Sequence, residues 1–89
     1  MPESFRYPSS LVQKLEQRGI TFEEVQNVLE VGQEVEAHSN RKAKVAVFSY
    51  NAYRRDRWFE EKEVRVVYTE DPDGWFFVFT AIARYGRFS

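Results

Sequence analysis

The chain has no cysteine, a single histidine, only four glycines and no long apolar run. Each absence removes a class of function. Without cysteine there is no disulfide, no thiol catalysis, no zinc knuckle and no redox switch, and nothing points to an oxidising compartment. One imidazole, His38, argues against a histidine-rich metal site and leaves no Ser-His-Asp set to nominate. The scattered glycines make no phosphate-binding loop. No stretch of ~18 apolar residues offers a membrane span, and the opening Met-Pro-Glu-Ser-Phe-Arg lacks the apolar stretch of a signal peptide. The expectation is a cytoplasmic protein with no membrane association, no metal and no cofactor.

What is present is aromatic and charged. Eighty-nine residues suit one domain, 1–89, and hydrophobic residues at 43% with aromatics at 17% suffice for a small core, since each large ring buries roughly 150–250 Å². The most apolar stretch, 71–88, organises the rest. Asp71-Pro72-Asp73-Gly74 reads as a sharp turn, and the aromatic and β-branched run 75–83 reads as a central strand ending in Arg84, Tyr85 and Arg87. The net charge of −1 conceals blocks: residues 1–37 and 60–73 are acidic, 38–59 and 74–89 basic. Such blocks keep a domain soluble, and folding that brings 41–57 beside Arg84 and Arg87 makes a basic patch.

Periodicity orders the remaining elements. Residues 1–8 read as an irregular lead-in, after which Ser9 or Ser10 caps a helix with Leu11, Val12 and Leu15 on one face, ended by Gly19. Thr21-Phe22-Glu23-Glu24 is a capping box with an Ile20/Val25 staple, opening a helix that buries Phe22, Val25, Val28 and Leu29 and closes at Gly32. Alternation predicts strands over 33–39 and 43–50 joined by a polar turn at 40–42, and another strand over 62–70 paired through 71–74 with 75–83. Residues 51–61 follow neither period and read as a loop of functional character. The predicted class is α+β: two N-terminal helices packed on a four-stranded, mainly antiparallel sheet, in the order α-α-β-β-β-β.

The acidic pairs Glu23-Glu24 and Glu60-Glu61 read as solvated charge. The basic residues carry more chemistry. Arginine holds phosphate through parallel hydrogen bonds and stabilises a pentacoordinate transition state, while tyrosine stacks on a base or moves a proton. Arg84, Tyr85 and Arg87 are the candidates, with Arg54, Arg55, Arg57 and Lys44, and with Arg65 or His38, around them. The bland reading of each arginine is an exposed ion pair.

The run 15–29, with a helix ending Arg18-Gly19-Ile20 and a second opening on an acidic capping box, resembles a family of small bacterial domains of unknown function. Residues 62–68 and 80–88 resemble its last hairpin. That family is similar in layout to the RelE, ParE and BrnT toxins of toxin-antitoxin systems. The resemblance implies a RelE-like fold and metal-free RNA cleavage, with Arg84 and Tyr85 catalytic at the end of the final strand. Arg54, Arg55, Arg57, Arg65 and Arg87 would bind substrate, and RNA or the ribosome and an antitoxin would be partners. The alternative is a non-catalytic module that binds another protein through a sheet edge or through Trp58-Phe59 and the C-terminal aromatics.

Overall fold

The computed structural model describes residues 5–88, built as β1 (Phe5–Arg6), α1 (Ser10–Arg18), α2 (Phe22–Val31), β2 (Gln33–Val35), β3 (Lys42–Arg54), β4 (Arg57–Glu70) and β5 (Phe76–Gly86). The capping box forms as the local sequence dictates. The Thr21 hydroxyl accepts from the Glu24 amide at 3.0 Å and Glu24 Oε1 accepts from the Thr21 amide at 3.0 Å. Gly19 takes φ 70°. Its amide donates to the Glu16 carbonyl and that of Ile20 to the Leu15 carbonyl, a Schellman ending that turns the chain directly into α2. The start of α1 differs from expectation: Ser9 is helical in φ and ψ and its side chain caps nothing, and Val12 is exposed.

Both helices cover one face of the sheet. Leu11 and Leu15 from α1 and Val25, Val28 and Leu29 from α2 pack with Val64, Val66 and Tyr68 of β4 and with Val78 and Ala81 of β5. Full burial of each aliphatic side chain stabilises by about 1.5–3 kcal/mol, so this layer holds the helices down. The alternation of β4, with Lys62, Val64, Val66 and Tyr68 buried and their neighbours half-exposed, leaves the other face of the sheet open to solvent.

The four-stranded expectation is corrected. The sheet has five strands in the order β1-β5-β4-β3-β2, and it is mixed. A strand precedes the helices: β1 runs parallel to β5, Phe5 opposite Phe76 and Arg6 opposite Phe77. The cause is Phe5, buried beside the Tyr7 and Phe22 rings, which draws the supposed lead-in into the core. Residues 1–4 lie outside the described residues. This departs from the RelE-like layout, and β4 rather than β5 holds the central position.

Residues 51–61 are also corrected. They are not a loop but the continuation of β3 and β4 around a two-residue turn, Arg55-Asp56, with φ 51° and 68°. Both values match a type I′ hairpin, whose twist suits antiparallel strands. A one-residue bulge at Tyr50-Asn51, with Asn51 at φ 48°, accounts for the missing period. Strand β2 is shorter than expected, ending at Val35. The last hairpin forms through 71–74, and its register slips by one at Phe79 rather than at the glycine.

Candidate functional site

The C-terminal end of α1 is the meeting point of the sheet's polar side chains. Its last carbonyls have no partner within the helix. Three strands supply them: Arg54 Nη2 donates to the Gln17 carbonyl at 3.0 Å, Tyr85 Oη to Arg18 at 2.7 Å and Lys62 Nζ to Gly19 at 2.8 Å. Two of these donors are cations, which suit the negative end of the helix dipole. Arg18 itself turns toward the outer edge of β5 and donates to the Ala81 carbonyl at 2.8 Å and to the Thr80 hydroxyl at 3.1 Å.

Beside this junction lies a cleft of about 380 Å³ lined by Arg18, Arg54, Arg55, Arg57, Phe59 and Tyr85. Arg54 stacks on the Tyr85 ring at 4.7 Å and Arg57 on Phe59 at 5.3 Å. None of the ion pairs found among the described residues involves these four arginines. Within residues 50–59 the one carboxylate is Asp56, at the turn. On the other side of the same ribbon, Tyr53 and Trp58 face each other across the strands with ring centroids 5.3 Å apart, 70% and 52% exposed. The hairpin therefore carries a basic side and an aromatic side, with Arg55 at the tip between them.

The expected site residues divide. Arg54, Arg55, Arg57 and Tyr85 come together in the cleft. Arg84 projects from the opposite side of β5, since neighbouring residues of a strand alternate, and its Nη1 lies 3.4 Å from Glu63 Oε1 with its side chain 70% exposed. Arg87 pairs with Glu60 at 3.3 Å. Arg65 faces the open side of the sheet, donating to the Glu36 carbonyl at 2.6 Å, and His38 lies near it. Lys44 donates to the Leu29 carbonyl at the end of α2. Arg18 escaped the sequence reading because a basic residue in a last helical turn already has a dipole role. Its position against Gly19, where the chain must bend back to the sheet, was the available signal.

Tyr85 is held as a structural donor. Burial, first, pushes its phenol pKa above 10.0, opposed by the Arg54 charge and assisted by Tyr50 and Glu24. A raised folded-state pKa means that the unfolded chain gives up its proton first, so the associated stability is complete below 10.0 and is lost as pH climbs toward the folded-state value. Tyr68, also raised by burial first, acts in the same sense. Tyr85→Phe should cost about 1 kcal/mol at neutral pH, the value of one hydrogen bond, and flatten the alkaline loss of stability. Urea titrations at pH 8 and above 10 measure both, and an unchanged alkaline slope would exclude Tyr85 as a contributor.

Residues 11–83 match the profile of DUF4258, a domain of unknown function. The chain belongs to this family. No curated protein and no solved structure matches it. The family assignment carries no tie to the RelE, ParE or BrnT toxins. No described helix of this DUF4258 domain is long and apolar enough to cross a membrane.

Proposed function

We propose that this DUF4258 domain binds single-stranded RNA at the β3–β4 hairpin. The observation that carries the reading is the convergence of Arg18, Arg54, Arg55 and Arg57 on one cleft without ion-pair partners among the described residues. Like charges gathered this closely favour an anion between them. The strand's phosphates lie against Arg55 and Arg57, whose guanidinium groups make no hydrogen bond to the helix end, while flanking bases stack on Trp58 and Tyr53 across the tip. A basic groove beside exposed rings is the usual means of holding single strands without sequence readout. Cleavage by Arg84 and Tyr85 is the finer form of this reading; their projection from opposite sides of β5 supports binding better than cleavage.

Fluorescence anisotropy with a short labelled oligouridylate at low salt tests it. The double variant Arg55→Ala, Arg57→Ala should bind about tenfold or more weakly and lower the salt slope by about 1.4, at roughly 0.7 per phosphate lost. Trp58→Ala should cost about 1–3 kcal/mol of binding through lost stacking. Wild-type protein without affinity at low salt, or variants that bind as well as wild type, would remove the RNA reading. Electrophoresis of the same mixtures reads cleavage. A second reading, a protein-binding module, rests on the outer edge of β3: β2 covers it only at Ala43–Val45, leaving the edge of 46–54 that faces away from β4 without a strand among the described residues. Failure of the RNA titration would leave that edge as the better-supported surface.

A further inference from the structure

A second cavity, of about 520 Å³, lies on the open face of the sheet, separate from the arginine cleft. Its wall is the connection between β2 and β3, bent at Ser39 with φ 61°. That connection is fixed in place: Arg65 donates to the Glu36 carbonyl at 2.6 Å, the Arg41 amide donates to the His38 carbonyl at 3.3 Å, and the Arg41 guanidinium lies over the Phe79 ring at 4.1 Å. The floor is apolar, made by Val67 and Ile82, and Ile82 is left 43% exposed. The rim carries His38, Arg41, Arg65 and Thr80, and no carboxylate of the described residues lines the cavity.

We propose that this cavity binds a small anion with a flat apolar body, such as an aromatic phosphate. The volume falls within the ~300–1,000 Å³ of small-molecule sites, and an apolar floor with a few placed polar groups is their common composition. Arg65 uses one donor on Glu36 and Arg41 is oriented by stacking, so both keep guanidinium N–H groups for an oxyanion. No ion pair found among the described residues involves either arginine. The ring of the ligand covers Ile82 and Val67, and its charged head lies between Arg41 and Arg65. The Thr80 hydroxyl is a further polar group on that rim.

An amide-resolved NMR titration with phenyl phosphate tests the site, with inorganic phosphate and phenol as the two halves of the ligand. Phenyl phosphate should shift the amides of 37–41, Arg65, Val67, Thr80 and Ile82 saturably, with a Kd about tenfold or more below that of either half. Arg41→Gln with Arg65→Gln should abolish saturation, and so should Ile82→Glu, which sets a carboxylate in the floor. The substituted side chains are solvent-accessible, and an unchanged spectrum elsewhere certifies each variant's fold. Shifts confined to Arg54, Arg55 and Arg57, inorganic phosphate binding as tightly as phenyl phosphate, or undiminished binding by both variants would each overturn the proposal. The RNA titration is read at the other cleft, so either reading can fail without the other.

Discussion

Glu24→Ala lowers the thermal midpoint by roughly 15–30 °C, while Lys62→Met lowers it by at most about half as much. Glu24 Oε1 accepts from both the Thr21 amide at 3.0 Å and Lys62 Nζ at 2.8 Å. Lys62 is the buried member, with 6% of its side chain exposed against 20% for Glu24. Removing the carboxylate strands an ammonium group on the helix side of the central strand, which among the described residues retains the Gly19 carbonyl and the Tyr50 ring at 5.6 Å. Breaking a buried pair in this way costs about 3 kcal/mol or more, and losing the capping interaction adds about 1 kcal/mol. At about 4–8 °C per kcal/mol for a domain of this size, the stated fall follows. Lys62→Met keeps the apolar stem and leaves Glu24 with its backbone donor and water, so about 1–2 kcal/mol is expected. Thermal unfolding followed by circular dichroism compares the two, and equal losses would mean that the pair is better solvated than its burial implies.

Gly32→Ala should destabilise by about 3 kcal/mol, at the upper end for overpacking. The reason is spatial. Gly32 has φ −68° and ψ 158°, which any residue adopts. An added methyl would overlap the Val28 carbonyl oxygen and approach the Val45 carbonyl at 3.0 Å and Val28 Cγ1 at 3.1 Å. Two of these atoms are backbone, one in α2 and one in β3, so relief requires moving the helix off the sheet. Gly74→Ala supplies the contrast: nothing crowds that position, and the cost of its φ of 88° is about 1–2 kcal/mol. Urea midpoints of the two variants decide the matter. A Gly32→Ala protein as stable as Gly74→Ala would show that α2 shifts freely over β3.

Local chemistry was readable and distant pairing was not. Thr21 and Glu24 are three residues apart, so the capping box could be read from sequence and appears as expected. Gly19 and the turn at 71–74 were legible for the same reason. Phe5–Arg6 is too short to show alternation, and its partner Phe76–Phe77 lies at the far end of the chain, so the fifth strand and the mixed sheet were hidden. The 51–61 hairpin was obscured because Asn51, Arg55 and Asp56 take positive φ where glycine is the usual marker. Among the proposed site residues, the 54–57 arginines and Tyr85 were nominated from sequence. The separation of Arg84 from them follows from strand alternation, and Arg18 required knowledge of how α1 meets β5.

The parallel pairing of β1 with β5 also sets an order of events during synthesis. A chain growing from its N-terminus exposes Phe5, Tyr7 and Phe22 before the strand that gives β1 its backbone partners, Phe76–Gly86, which is made after every other element of the domain. Until then the nascent helices have no complete surface to lie on, and closing the sheet joins two ends of the chain at the entropic cost of the longest loop in the fold. The sheet of this DUF4258 domain therefore cannot close until β5 has been synthesised.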